Sequence, residues 1–135
     1  MNTQGFPVLI GRILLALMFL MSGISKFAGL EGTAGFIASK GLPMASLLAF
    51  GAAAVETVGG LLLIIGWQAR WAALALAAFT VVASLIFHSF WTLPADQQMM
   101  QQLLFMKNLS VIGGLLVVFA FGAGTLSVDQ RRATV

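Results

Sequence analysis

Hydrophobic and polar positions along this chain fall into long blocks instead of alternating residue by residue. Four runs, residues 6–27, 46–66, 71–90 and 103–126, are apolar enough to cross a bilayer, which takes about 20 residues of helix. The polar residues gather between them. The first connection, 28–45, holds Glu31, Gly32, Gly35, Lys40, Gly41 and Pro43. Its middle, 31–40, reads as a short helix at the headgroups, with the acid at its start, lysine near its end, and Gly41 and Pro43 to stop it. Trp67 and Trp71 bracket Arg70, the composition of an interfacial belt. Pro94, Asp96, Gln97 and Gln98 open a polar, amphipathic lead-in to the fourth run. The predicted fold is an all-α membrane protein, a four-transmembrane-helix bundle with short interfacial helices in the first and third connections. A single domain over 1–135 is expected, with a polar tail, 127–135, that frays.

Composition supports the membrane reading. With 60% hydrophobic and 8% charged residues, a soluble domain would have too little polar material to cover its surface. The formal charge of +3 comes from cations placed singly near span ends, with no basic patch, so nucleic acid is not an expected partner. The lipid bilayer is. The first run has a competing reading as a signal peptide, since Arg12 precedes the uncharged stretch 13–25, but no small-residue cleavage pattern follows, and a retained span is the expectation.

There are no cysteines, which excludes disulfides, iron–sulfur clusters and thiol redox chemistry. One histidine without cysteine does not make a closed zinc site, and a haem would need a methionine such as Met106 opposite His88, so no metal site is predicted. The glycine pairs Gly59-Gly60 and Gly113-Gly114 sit inside apolar runs, where close helix packing explains them better than phosphate binding.

The chemistry therefore lies in a few polar residues within the spans. Glu56 is an acid near the middle of the second run, and such a residue costs roughly 2.5–3.5 kcal/mol to insert unless it faces protein or a wet cavity. Ala52 and Gly60 flank it at helical spacing, giving it a small-residue face against which a neighbouring helix can close. Arg12, Leu15, Phe19, Ser22 and Lys26 share one stripe of the first span, and Thr80, Ser84 and His88 one stripe of the third. Because successive spans alternate in direction, Lys26, His88, Lys107 and Asn108 fall on one side of the membrane, with Glu56 deeper. At 1.5 Å per residue Glu56 is placed roughly 15 Å inward and roughly 7 Å axially from Arg12. This spacing predicts an Arg12–Glu56 ion pair at the floor of a polar pocket lined by Ser22, Lys26, Ser84, His88, Lys107 and Asn108.

Each of these residues also has a plain structural reading. Arg12 and Glu56 can serve as a clamp between helices, Lys26 and Lys107 as snorkelling span-end residues, and His88 as an interfacial hydrogen-bonder. Their gathering on one side raises the functional reading. Two lysines and a histidine beside one acid suit a quinone carbonyl, an anionic headgroup or a small oxyanion. A weak internal repeat, with Ser22 and Lys26 resembling Ser84 and His88, fits two helical hairpins related by an axis along the membrane normal.

Together Arg12-x-x-Leu15, Gly23-Ile24-Ser25-Lys26, Pro43, Glu56 with Gly59-Gly60, Phe87-His88-Ser89, and Phe105-Met106-Lys107-Asn108-Leu109 with Gly113-Gly114 resemble the DoxX family of small bacterial inner-membrane proteins. The resemblance spans nearly the whole chain. It implies four transmembrane helices and an association with redox physiology, one related protein being a subunit of a thiosulfate:quinone oxidoreductase and some members being associated with oxidative-stress systems. It implies no particular reaction. Two function classes follow. One is a subunit or accessory of a redox system that binds a quinone-like ligand and takes electrons through a partner protein, since the chain has no electron carrier of its own. The other is a non-enzymatic binding or transport module for a small amphiphile or anion, for which four helices are few and a homo-oligomer is expected. Arg12, Arg70, Arg131 and Arg132 on one face against Lys26, Lys40 and Lys107 on the other favour cytoplasmic termini in a bacterial inner membrane.

Overall fold

The structure is a computed structural model describing residues 4–134. Helix α1 spans Gly5–Ala28, α2 Leu30–Ser39, α3 Ala45–Ile65, α4 Ala69–Phe87, α5 Ala95–Phe121 and α6 Val128–Ala133, with a single 3-10 turn at Phe90–Thr92 between α4 and α5. Four of these, α1, α3, α4 with the turn after it, and α5, are long and apolar enough to cross a membrane. The lead-in expected before the fourth span is the opening of α5 itself, with Pro94 preceding its first turn and Asp96 within it. Pro94 has no N–H to lose there, so the helix starts at the proline and runs on without a break. The third connection thus contributes only the 3-10 turn as a separate element.

The bundle is built from two pairs. The most extensive contacts are α1 against α3 and α4 against α5, with α3 against α4 less extensive. Glycines set the α1–α3 distance. A Cβ on Gly23 would fall 2.7 Å from the Thr57 amide nitrogen and 2.9 Å from the Ala53 carbonyl oxygen, and one on Gly60 3.0 Å from the Leu20 nitrogen. Without a hydrophobic drive between helices in lipid, such close approach is what holds a membrane pair together. These contacts also fix the register: α1 around Gly23 is level with α3 around Ala53 and Thr57.

Between the pairs lies an apolar core of Ala16, Phe19, Leu63, Ala73, Leu76 and Leu115, all at most 2% exposed. α3 ends at Gly66, whose φ of +69° allows the tight reversal into α4 that a residue with a Cβ resists, and whose N–H returns to Leu62.

Within the described residues the tail, 127–134, does not fray, and residue 135 lies outside them. α6 folds back so that the Asp129 carboxylate accepts from the Gln68 and Ala69 N–H groups at 2.8 and 3.0 Å, while the Asp129 N–H donates to the Gly66 carbonyl at 2.9 Å. The start of α4 offers N–H groups with no partner inside the helix, and an acid at that end also complements its dipole. Ser127 is buried and caps α6 by accepting from the Gln130 N–H.

Candidate functional site

The expected Arg12–Glu56 ion pair does not form, and Arg12 leaves the site. The α1–α3 register places Arg12 level with the end of α3, beside Gly66, roughly 15 Å along the axis from the level of Glu56. The shorter sequence-based distance assumed a different alignment of the two helices. Arg12, 2% exposed, makes no ion pair within 4 Å among the described residues, though the Asp129 carboxylate acts on it at longer range, and it donates to main-chain carbonyls: Ala123, Leu126 at 2.9 Å and Ile64 at 3.2 Å. Ile64 lies in the last turn of α3 and Ala123 just beyond α5, where carbonyls have no helical partner and the dipole is negative. Arg12 ties α1, α3 and the return of the tail together.

Glu56 pairs with Lys26. Lys26 Nζ lies 2.7 Å from Glu56 Oε2, and Ser22 Oγ donates to Oε1 at 3.2 Å. Lys26 Nζ also donates to Ser22 Oγ at 2.7 Å, closing a three-residue ring. Ser22 and Lys26 are one turn apart on α1, and at the observed register they bracket the level of Glu56. The acid is therefore charge-compensated and hydrogen-bonded entirely by α1, which is what makes a buried carboxylate tolerable in a membrane.

The second helix pair carries a neutral counterpart. Thr80 Oγ1 donates to the Leu76 carbonyl and Ser84 Oγ to the Thr80 carbonyl, one turn apart along α4. Asn108 of α5 donates through Nδ2 to Ser84 Oγ at 2.9 Å. His88, capping the end of α4, has Nδ1 2.8 Å from Gln101 Oε1, which accepts from it.

The two polar clusters face one another across a cavity of about 710 Å³. Its walls are mainly apolar, with Phe19, Phe79, Val55 and Ile86 among them, and its polar groups come from Ser22, Lys26, Thr33, Glu56, Thr80, His88, Lys107 and Asn108. Ser84 stands behind the wall, holding Asn108. Lys107 differs from the other lining cations. Among the described residues its ammonium, on an exposed residue, has no hydrogen-bond or ion-pair partner, whereas Lys26 donates to Ser22 and Glu56. The charges facing the cavity are thus one compensated pair and one further cation, Lys107, with the His88 imidazole beside them.

Of the residues singled out from sequence, Ser22, Lys26, Glu56, His88, Lys107 and Asn108 meet at the cavity, Ser84 supports it, and Arg12 lies outside it. Gln101 was missed as the partner of His88. Its signal was available, since it sits two helical turns before Asn108 on the same face of α5. Phe36 of α2 was also missed: it closes over the cavity by stacking on Phe87, centroids 5.2 Å apart. Nothing in the sequence of α2 alone announces that contact.

Comparison with known proteins gives a consistent picture. Residues 7–89 match the DoxX family. The chain is 32% identical over 124 residues to inner membrane protein YphA of Escherichia coli K12, covering 92% of this chain and 89% of that one. It is 34% identical over 128 residues to inner membrane protein YqjF of the same organism, covering 91% and 89%. A shorter match, 39% identical over 75 residues and covering 56% of this chain and 54% of the other, is to the Bacillus subtilis protein named "Putative oxidoreductase CatD". No solved structure matches at a significant level.

Proposed function

This chain belongs to the DoxX family of multi-pass inner membrane proteins, and from that premise we propose that it is the ligand-binding membrane component of a redox system, holding a quinone-like molecule in the cavity between its two helix pairs. The observation that carries this reading is a mainly apolar cavity whose lining includes Lys107, an exposed cation without a partner among the described residues, and Glu56, an acid that already has one. An apolar chamber with a few convergent polar groups is the common form of a small-molecule site. The donor set fits a quinone. Lys107 supplies a charge-assisted hydrogen bond to one carbonyl oxygen, the Lys26 side of the chamber can reach a second, and the aromatic and aliphatic walls take the ring.

A bound quinone supplies two-electron redox chemistry, with electrons delivered by a partner protein. The chain's own residues bind and orient the ring, and the Lys26–Glu56 pair provides groups between which a proton is held. The name of the Bacillus relative, containing the word oxidoreductase, favours this over plain transport. The second reading, a non-enzymatic module for a small anion, draws on the net positive charge of the same chamber. Cytoplasmic termini are part of the proposal. With Arg12 and Lys26 both engaged internally, Arg70, Arg131 and Arg132 outweigh Lys40 and Lys107 across the membrane.

A thermal-shift assay on the purified protein tests the reading. Stabilisation by a benzoquinone analogue that is lost in Lys107→Ala supports the quinone site. Stabilisation by inorganic anions alone, with none from the quinone, supports the anion module instead.

A further inference from the structure

Helices α3 and α4 touch at one end and part at the other. Near the turn that joins them, Gly59 lies so close to Leu76 that a Cβ at 59 would fall 2.8 Å from the leucine Cγ. The same stripe of α3, followed back at three- and four-residue steps, runs through Val55 and Ala52 to Leu48. The matching stripe of α4, followed forward from Leu76, runs through Thr80 and Ala83 to Phe87. Both rows line the cavity, so the two helices form a V whose gap is the chamber itself.

The aqueous end of that V is roofed. α2 packs along α3, and its Phe36 reaches across to stack on Phe87 of α4. The flank toward the lipid is not roofed. Leu48, Val55 and Val82 line the chamber and are themselves 42, 40 and 56% exposed. Gly51, between the first two, has nothing within 4 Å of its Cβ position.

We infer that the chamber is loaded laterally, from the bilayer through the cleft between α3 and α4, and that its occupant is a membrane-dissolved quinone whose apolar tail stays in the cleft while its head reaches Lys107. The inference rests on the reading of the cavity as a quinone site and narrows it to the tailed, lipid-borne members of that class. Apolar side chains continuous with the apolar chamber wall suit a tail, and Lys107, an exposed cation in the same lining, suits a carbonyl head.

Two measurements on the full chain in liposomes test it. The chain has no native cysteine, so a spin label at Ala52→Cys reports on the chamber alone. It is expected to collide at least threefold more with dissolved oxygen, which partitions into lipid, than with a water-confined nickel chelate; the reverse ratio overturns lateral access. In the second, a decyl-tailed benzoquinone is compared with the tail-less ring. Gly51→Phe, placed where the Cβ position is open, is expected to weaken the tailed probe about tenfold and the tail-less ring less than twofold. A tailed probe no more sensitive to Gly51→Phe than the tail-less ring overturns the inference. Failure of the unmodified protein to bind either probe overturns the quinone reading and this occupant with it, and the collision ratio then decides lateral access by itself.

Discussion

Lys26 Nζ sits 2.7 Å from Glu56 Oε2 across the α1–α3 interface, with Ser22 bonded to both partners. The pair is one electrostatic unit, and removing half of it strands a charge in the membrane. Lys26→Met is expected to cost about 3–5 kcal/mol, because Glu56, only 6% exposed, is left with the Ser22 hydrogen bond and no counter-charge. Glu56→Leu should cost less, since Lys26 is 27% exposed and its stem can carry the ammonium outward. The double variant should recover most of the loss. Thermal denaturation in detergent through the full double-mutant cycle measures the coupling, and strictly additive losses would show that the two residues act independently.

Gly23 makes the geometry of that pair possible. A methyl at this position meets backbone atoms of Ala53 and Thr57 at under 3 Å, and backbone does not swing aside as a flexible side chain would. Gly23→Ala is therefore expected to destabilise by about 1–3 kcal/mol and to push α1 away from α3, lengthening the reach from Lys26 to Glu56. Gly113→Ala is the control. It meets nothing within 4 Å and replaces a helical glycine with the best helix former, so its stability should be unchanged or raised by up to about 1 kcal/mol.

The four spans and the polar gathering were legible in the sequence because both follow from one-dimensional rules: hydrocarbon thickness sets the length of an apolar run, and 3.6 residues per turn sets which side chains share a stripe. Ser22 and Lys26 were found that way, as were Thr80, Ser84 and His88. The partner of Glu56 was not, because it depends on how far two helices slide past one another. That slide is decided by where Gly23 and Gly60 let the backbones close, and a few residues of slide exchanges Arg12 for Lys26. The docked tail was hidden for a similar reason. Asp129 reads as a surface acid until the chain reverses after α5 and carries it to the start of α4.

That reversal gives a prediction of its own. Asp129→Ala removes two hydrogen bonds at the start of α4 and the charge that complements its dipole, an N-cap loss of about 0.5–2 kcal/mol. The effect should be local. Amide exchange is expected to speed up across residues 127–133 and in the first turn of α4, while the centre of α3 stays protected. Uniform acceleration along the whole chain would mean that the tail supports the entire bundle.

Arg12 separates structural from functional charge in this bundle. Its guanidinium spans carbonyls of Ile64, Ala123 and Leu126, a fork that a lysine ammonium, with a compact head and no planar spread, does not reproduce. Arg12→Lys keeps the charge but is expected to lose at least one of these bonds, at about 1.5–3 kcal/mol for each hydrogen bond to a charged group. Because Arg12 lies at the far end of α1 from the chamber, quinone binding measured well below the melting temperature should be unchanged. Lys107→Ala should do the opposite. With no protein partner to lose, it should leave thermal stability within about 0.5 kcal/mol of the parent and abolish the ligand-induced shift. Equal effects of both variants on binding would place Arg12 back in the site and break the division between the carbonyl-bound arginine at one end of the bundle and the free lysine at the other.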